Sequence, residues 1–284
     1  MKTVKLWTRN FRLVILASAL GTVGAIAGGF ALAFLVFDET GSTLASALIV
    51  AIQLLPYLLL PVLIAPFMDR LPRKSFLVAG DAANAILLAG MGMWLLFFDF
   101  SYVGYLAVSL LLACLGAADE LAFTSIYPEL IPEGAEQKGY AVSSMLYPVL
   151  KVIMTPLAAV LLDTLGVAWI LIAQSGLSLA AAVTESFIRL DETERKQRAP
   201  YSLRAWVDDI WEAVQYLKKE RGLCSIYGYM AVTNGVAGGL SPVLVAFFRT
   251  FPGLTAAMYS AFSVVEFVGR SVGSAWQYRI SIPG

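Results

Sequence analysis

Eight apolar stretches, each long enough to cross a lipid bilayer as a helix, run through this chain of 284 residues. A helix needs about 20 apolar residues to span the hydrocarbon core. We number the stretches as spans 1 to 8, and they cover 13–37, 44–67, 76–98, 103–126, 141–162, 167–188, 223–247 and 255–277. Because the bilayer core cannot satisfy free backbone groups, apolar segments of this length fold as helices. The sequence therefore predicts an all-α membrane protein.

Composition excludes several classes of soluble protein and of site. Only 14% of the residues are charged, against roughly 25% in soluble domains. Lys and Arg together number 20, as do Asp and Glu, so net charge indicates no nucleic-acid partner. Histidine is absent, which leaves proton chemistry to carboxylates. Cys114 and Cys224 form no disulfide framework or metal spacing. With no phosphate-binding loop and no nucleophile paired with a base, we expect neither a cofactor nor enzymatic activity.

The placement of positive charge predicts the orientation of the chain. Outside the spans, every Lys and Arg except Arg249 falls in loops on the same side, while Lys151 and Arg270 lie inside spans. Cytoplasmic loops of membrane proteins carry such an excess. Span 1 is too long for a signal-peptide core and follows basic residues, so we expect a retained anchor. The prediction is a multi-pass protein of the plasma (inner) membrane with a cytoplasmic N-terminus.

The longest loop divides the chain into three parts. We predict an N-terminal six-helix half at 1–188, a cytoplasmic linker at 189–222, and the start of a C-terminal half, with two membrane helices, at 223–284. In the linker, Trp206, Ile210 and Trp211 recur at helical spacing, with acidic residues opposite. This pattern is typical of an amphipathic helix on a membrane surface. A covering role and a regulatory or partner-binding role both remain open for it.

A short internal repeat indicates that the second half is incomplete. Ala27-Gly28-Gly29 in span 1 recurs as Ala237-Gly238-Gly239 in span 7, one six-span unit later. Repeated halves are common in secondary transporters. On this interpretation we expect four more spans, in roughly 110–130 further residues. The rest of the C-terminal half would then be missing from this chain. Alternatively, pairing with a second copy of the chain or with another polypeptide would supply it. Reading the encoding DNA past Gly284 would decide this.

The loop after span 2 carries a family motif. Its sequence, 65–74, reads APFMDRLPRK and resembles the signature G-x-x-x-D-R-x-G-R-[RK] of the major facilitator superfamily. Four residues match in place: Asp69, Arg70, Arg73 and Lys74. The two glycine positions hold Ala65 and Pro72, so the turn must be built differently. The resemblance implies a major facilitator-type helix bundle, in which these four charges form a latch that closes the cytoplasmic gate.

Two further stretches are similar to the branch of macrolide and enterobactin exporters. One is the loop 127–133, YPELIPE, and the other is the W-x-x-D-I-x-E-A-x-x-Y-L segment before span 7. The exporter signature of span 5 departs from the family pattern, because Pro156 is kept while the glycines are lost. The resemblance implies secondary active transport by alternating access, in the form of proton-coupled efflux of a small amphiphilic molecule.

Charged side chains inside the spans are the candidate coupling and substrate residues. Tyr147 and Lys151 share one helical face of span 5, and Asp119 and Glu120 lie in the cytoplasmic half of span 4. Intramembrane charges are costly and face cavities or partners. We expect Lys151 to reach one of the two carboxylates. This pair would either break and re-form as substrate or proton binds, or serve as a structural ion pair.

Two other groups of polar residues complete the candidates. In span 8, Glu266 and Arg270 are spaced i, i+4 and either neutralise each other or leave Glu266 to carry a proton. In span 2, Gln53 and Tyr57 form a substrate-facing wall or hydrogen bonds between helices.

Two acidic residues near the ends of spans are expected outside the substrate site. We expect Asp81 to dock against Arg73 or Lys74, and Glu185 to extend toward the cytoplasmic interface.

A rival hypothesis is a non-transporting protein, either truncated or an eight-span binding or scaffold module. The two hypotheses differ in their response to Glu266→Gln or Asp119→Asn. A transporter would lose proton-dependent flux, whereas a scaffold would show no flux and tolerate both changes. The expected partners are a small-molecule substrate, the lipid bilayer and a proton.

Overall fold

The computed structural model of the chain describes residues 5–68, 72–190, 202–250, 252–253, 265, 268–269, 271–276 and 279. These residues contain no strand. The helices, in chain order, are α1 (Arg9–Thr40), α2 (Thr43–Met68), α3 (Arg73–Phe97), α4 (Tyr102–Leu130), α5 (Glu136–Leu165), α6 (Val167–Ser186), α7 (Leu203–Lys219) and α8 (Arg221–Thr250).

Six helices, α1 to α6, are long and apolar enough to cross a membrane. They match the first six predicted spans, and the prediction of an all-α, multi-pass membrane protein is confirmed. Their outward faces expose large apolar side chains, such as Leu58 and Phe97. In water such a surface would drive aggregation, but in a bilayer it faces lipid. The structure also carries a helix, α8, over predicted span 7, whereas most of span 8 lies outside the described residues.

The first compact unit comprises Met1–Arg198 together with Gly273–Gly284. In its six-helix bundle, α3 packs against α4 and α6, α1 packs against α5 and α6, and α2 packs against α4. Consequently α4 rests mainly on α2 and α3, while α5 rests mainly on α1. This neighbour relationship decides which intramembrane side chains can meet.

One connection between helices depends on a glycine. Gly166 is the single residue between α5 and α6, and its φ of 78° lies in the left-handed region. Its N–H donates to the carbonyl of Leu162 at 3.0 Å. Glycine adopts this conformation without a steric penalty, so the chain can reverse direction between the two helices within one residue.

The largest apolar cluster lies at the end of the bundle where α1 and α3 begin and α4 and α6 end. It includes Phe11, Met68, Leu77, Ile126 and Ile188, all almost fully buried. Met68 and Leu77 lie on either side of the 69–74 motif in the chain, and both belong to this cluster. Arg73 and Lys74 therefore begin a helix whose second turn is anchored in the apolar cluster.

The second compact unit is Ala199–Val272 and contains α7 and α8. The Ser202 Oγ caps α7 by accepting from the N–H of Ala205 at 3.2 Å. Lys218 and Lys219 occupy its last turn, where they complement the helix dipole. Trp211 is exposed on its apolar face, with Lys218 Nζ 5.8 Å from its ring centroid. The helix predicted in the linker is thus present, and its position on the membrane remains a prediction, as does the three-part division of the chain.

Candidate gate and intramembrane charge site

The two described residues of the gate motif join three helices. Arg73 is the first residue of α3, and its Nη1 donates to the carbonyl of Ser125 at 3.0 Å and to Glu129 Oε1 at 3.4 Å, both on α4. The Nζ of Lys74 donates to the carbonyl of Ser186, at the end of α6, at 2.6 Å. The start of α3 is thereby tied to the ends of α4 and α6. Asp69 and Arg70 lie outside the described residues.

Pro72 shows how the turn forms where the family signature has glycine. It is the N-cap of α3, with φ −62° and ψ 110°, and its carbonyl accepts from the N–H of Ser75 at 3.1 Å. This φ is the one that the proline ring fixes. The chain therefore enters α3 through a pre-set dihedral and needs no positive φ at this position.

A cleft of about 450 Å³ opens beside this tie, between the start of α1, the loop after α4 and the residues after α6. Arg9, Glu129 and Arg189 line it. The Asn10 side chain closes one wall, because its Nδ2 donates to the Arg189 carbonyl at 2.7 Å and its Oδ1 accepts from the Arg189 N–H at 3.3 Å. Sequence reasoning missed this cleft because its walls are far apart in the chain.

Tyr57 of α2 meets the acidic pair of α4. A Cβ placed on Gly116 would lie 2.5 Å from the Tyr57 hydroxyl oxygen, so the hydroxyl occupies the space that this glycine leaves. Electrostatic interaction reaches Tyr57 from both Glu120 and Asp119. Gln53 lies one turn earlier on α2 and is half-buried. The structure thus brings Tyr57 together with both carboxylates.

The Asp119 carboxylate is directed toward α3. A Cβ on Gly80 would lie 3.8 Å from Asp119 Oδ1. That oxygen is buried and makes no hydrogen bond to the part of the chain that the structure describes. A buried polar oxygen without a partner costs free energy and calls for an explanation in function or in a bound species.

Lys151 lies on α5 over an aromatic ring. Its Nζ is 5.5 Å from the ring centroid of Tyr147, within the range of a cation–π interaction. Its carbonyl accepts from Thr155 Oγ1 at 2.7 Å. Since α4 packs on α2 and α3 while α5 packs on α1 and α6, a pair between Lys151 and Asp119 stays a prediction. The other predicted pair, Glu266 with Arg270, lies outside the described residues.

Glu185 was expected at the interface and is instead buried among helices. It is 5% exposed, and its Oε2 makes no hydrogen bond within the described ranges. Its electrostatic neighbours are Asp81 of α3 and Asp119 of α4. The last turn of α6 packs against α3, which covers the side chain. The signal in the sequence was an acidic residue at the end of an apolar span, but hydropathy does not show which face α3 covers.

α1 and α6 approach each other closely at two of the four glycines in α1, Gly21, Gly24, Gly28 and Gly29. A Cβ on Gly24 would lie 3.0 Å from the Gln174 Cγ, and a Cβ on Gly28 would clash with the end of the same side chain. Gly21 and Gly29 face open space. Two of the four glycines therefore accommodate Gln174, whose buried Oε1 has no hydrogen bond among the described residues.

No group of three or more Cys, Asp or Glu side chains that could hold a metal ion is found among the described residues. The acidic residues of α3, α4 and α6 are therefore neighbours without forming a metal-binding arrangement.

Comparison with known proteins gives the family. A search of curated proteins and a search of solved structures found no match. The sequence profile described as Major Facilitator Superfamily matches residues 13–282, which include all of α1 but its first turn, the whole of α2 to α8 and the 69–74 motif. The chain belongs to the Major Facilitator Superfamily, whose members are secondary membrane transporters of small molecules.

Proposed function

We propose that this protein exports a small amphiphilic molecule from the cytoplasm in exchange for protons, by alternating access. The observation that carries the proposal is Asp119, a carboxylate of a membrane helix with a buried oxygen that no described residue satisfies. A carboxylate in such a setting gains more from a bound proton than one in water. Tyr57, which is 48% exposed and interacts electrostatically with Asp119, is the residue through which a substrate would influence this carboxylate in our proposal.

The contacts of the motif support a gate that opens reversibly. Arg73 is 14% exposed and Glu129 is 42% exposed, and the Arg73 Nη1 lies 3.4 Å from the Glu129 Oε1. Pairs of this kind contribute about 0–1 kcal/mol. A latch made of a few such contacts is weak enough for substrate or proton binding to shift the population of the two states. Asp69 and Arg70 complete the latch in this proposal.

The substrate class follows from the side chains around the intramembrane charges. Tyr147 is 52% exposed and carries Lys151 over its ring, while Tyr57 approaches Glu120. Aromatic faces beside charges of both signs suit a molecule with an apolar body and a polar group. Gln53 would add hydrogen bonding to this wall. Glu266 and Arg270 are proposed as the matching polar groups of the later span.

The resemblance to macrolide and enterobactin exporters supports the outward direction. The same proposal places the protein in the plasma (inner) membrane with a cytoplasmic N-terminus. It assigns 1–188 to the first half, 189–222 to the linker and 223–284 to the start of the second half.

Everted membrane vesicles from cells that express the complete gene provide the test. Ethidium serves as the fluorescent amphiphilic probe, and respiration generates a pH gradient with the vesicle interior acidic. We expect ethidium accumulation in the vesicles, its collapse when nigericin dissipates the gradient, and its loss in Asp119→Asn. Glu133→Gln is the matched control, because Glu133 is an exposed loop carboxylate and should leave accumulation unchanged.

Three results would contradict the proposal. Accumulation that is driven by sodium and unaffected by nigericin would show that sodium, rather than the proton, is the coupling ion. Uptake in right-side-out vesicles would show that the protein imports its substrate. Absence of flux for ethidium and for a panel of anionic and neutral amphiphilic dyes, in membranes that contain the folded protein, would favour the non-transporting binding or scaffold protein.

A further inference from the structure

Three carboxylates from three helices are electrostatic neighbours within the first unit: Asp81 of α3, Asp119 of α4 and Glu185 of α6. Electrostatic interaction joins Asp81 to Asp119, and both of them to Glu185. The Asp119 carboxylate reaches the α3 backbone beside Asp81, since a Cβ on Gly80 would lie 3.8 Å from its Oδ1. We refer to these three residues as the acidic triad.

The triad is closed off and incompletely hydrogen-bonded. Glu185 is only 5% exposed. Its Oε2, like Oδ1 of Asp119, has no hydrogen-bond partner within the described chain. Leaving one such oxygen unsatisfied costs about 1–3 kcal/mol. Placing three negative charges together in an apolar interior adds repulsion to that cost. The geometry therefore favours a species that is positively charged and can donate a hydrogen bond.

The charged groups on the surrounding helices sit at the edge of the triad. The Lys74 Nζ is directed to the carbonyl of Ser186, next to Glu185, and the Arg73 guanidinium is directed to Ser125 and Glu129.

On the other sides the neighbours of the triad differ. Tyr57 and Glu120 approach Asp119 from α2 and α4. On α1, the uncharged Phe11 and Val14 belong to the apolar cluster at this end of the unit. On α5, Lys151 lies over Tyr147.

We propose that the acidic triad is a proton-binding site, in which Asp81, Asp119 and Glu185 share one exchangeable proton. Taken up from water, the proton forms an O–H bond with one carboxylate oxygen and converts that group into a hydrogen-bond donor. It can then donate to an otherwise unsatisfied oxygen of a neighbour, and the net charge of the triad falls by one. Release returns the proton to water, and the titration belongs to the group as a whole rather than to one residue. A proton binds to a single oxygen, whereas a metal ion needs several ligands around one point, and no group of three Cys, Asp or Glu side chains that could hold a metal ion is found among the described residues.

The site is placed to act on the gate. Glu185 directly precedes Ser186, whose carbonyl accepts from Lys74, and Asp119 lies six residues, or about 9 Å, before Ser125 on α4. Losing the proton adds negative charge near Arg73 and Lys74, the two cations that tie α3 to α4 and α6. The added negative charge attracts these cations and strengthens the tie, whereas proton uptake weakens it. This step rests on the proposed proton coupling, whereas the proton site itself does not.

Infrared spectroscopy of the purified complete protein in nanodiscs, without substrate, tests the site. The C=O stretching band of protonated carboxylic acids is recorded while the pH is raised through neutrality. We expect a band equivalent to about one protonated carboxyl group per molecule at neutral pH, and its loss on titration to alkaline pH. Glu185→Gln and Asp81→Asn, tested separately, should each reduce the band at neutral pH, because removing one acid relieves the repulsion that retains the proton. Glu133→Gln should leave it unchanged.

The alternatives give different results. Absence of the band at neutral pH in the wild type overturns the proposal, as does a band that neither triad variant changes. Replacing choline chloride with sodium chloride distinguishes a sodium site. If sodium abolishes the band and raises the melting temperature of the wild type but not of the variants, the ligand is sodium. Because the wild-type titration needs no variant and no flux, a positive band without transport would refute the proposed function while leaving this site intact.

Discussion

The hydroxyl of Tyr127, near the end of α4, donates a buried hydrogen bond of 2.6 Å to the carbonyl of Gly139 in the first turn of α5. This bond closes the loop 131–135 over the apolar cluster at the gate end. Tyr127→Phe should lower the free energy of unfolding by about 1–2 kcal/mol, because the Gly139 carbonyl loses its side-chain donor while buried. Thermal denaturation in detergent, followed by tryptophan fluorescence, measures this. Tyr140→Phe is the control, since Tyr140 is exposed, and equal effects of both changes would refute the prediction.

Gly92 marks the tightest contact between α3 and α6. A Cβ there would lie 2.8 Å from the Ala168 carbonyl oxygen and from Ile172 Cγ1. Gly92→Ala should destabilise the protein by about 1–3 kcal/mol, because backbone on one side cannot move out of the way. Gly90→Ala, two residues earlier and facing open space, should be neutral or slightly stabilising. Melting temperatures of the two purified variants decide the matter, and a stable Gly92→Ala protein would show that the helices are less closely packed.

Arg73 should matter more than its partner Glu129. Arg73→Gln removes the ion pair and the bond to the Ser125 carbonyl. Glu129→Gln keeps the bond to the Ser125 carbonyl, and the loss of its exposed ion pair should cost less than about 1 kcal/mol. We expect Arg73→Gln to reduce ethidium flux several-fold and Glu129→Gln to reduce it less. Flux in everted vesicles, normalised to the amount of folded protein, gives the comparison. A larger loss for Glu129→Gln would contradict the prediction and would point to the nearby cleft instead.

Lys151→Met tests whether the intramembrane cation acts in transport. Methionine keeps the length and apolar stem of the side chain and removes the charge, so we expect a folded protein with strongly reduced flux. Lys138→Met, in the exposed first turn of α5, is the matched control and should transport normally. If the Lys151 variant folds and transports at the wild-type rate, the residue has a structural role only.

The amphipathic helix α7 should lie on the membrane surface. Spin labels at Val207 and at Glu212, introduced singly after replacing Cys114 and Cys224 with serine, would sit on its apolar and polar faces. We expect oxygen, which concentrates in lipid, to relax the label at 207 and a water-soluble nickel complex to relax the label at 212. Similar accessibility of both labels to the nickel complex would place the helix in water, away from the bilayer.

Hydropathy predicted the six long helices of the first unit because membrane thickness sets their length, which is a local property of the sequence. Even prolines did not break the pattern: α2 continues through Pro56, Pro61 and Pro66, as membrane helices commonly do. Neighbour relationships are not local. The sequence placed Asp119 and Lys151 at comparable depths, but depth does not decide whether α4 faces α5 or α3.

The acidic triad was likewise not predictable from the sequence, because it depends on which helices pack together. Asp81 and Glu185 each had an ordinary explanation as residues near the end of a span. Asp81 of α3 and Glu185 of α6 become electrostatic neighbours only when α6 packs along α3. The 69–74 motif was found readily because its residues are contiguous, yet its bonds to Ser125 and Ser186 are made to backbone carbonyls, which carry no signal in a sequence.

α3 is held to α6 near both of its ends. Lys74 binds the Ser186 carbonyl at one end, and Gly92 contacts Ala168 about 27 Å further along the helix. The Lys74 bond is released when the gate opens, whereas the Gly92 contact involves backbone and leaves no space for a larger side chain, so α3 and α6 stay packed at that end while they separate at the other. A larger side chain at position 92 therefore requires a compensating change on α6, although 76 residues separate Gly92 from Ala168 in the chain.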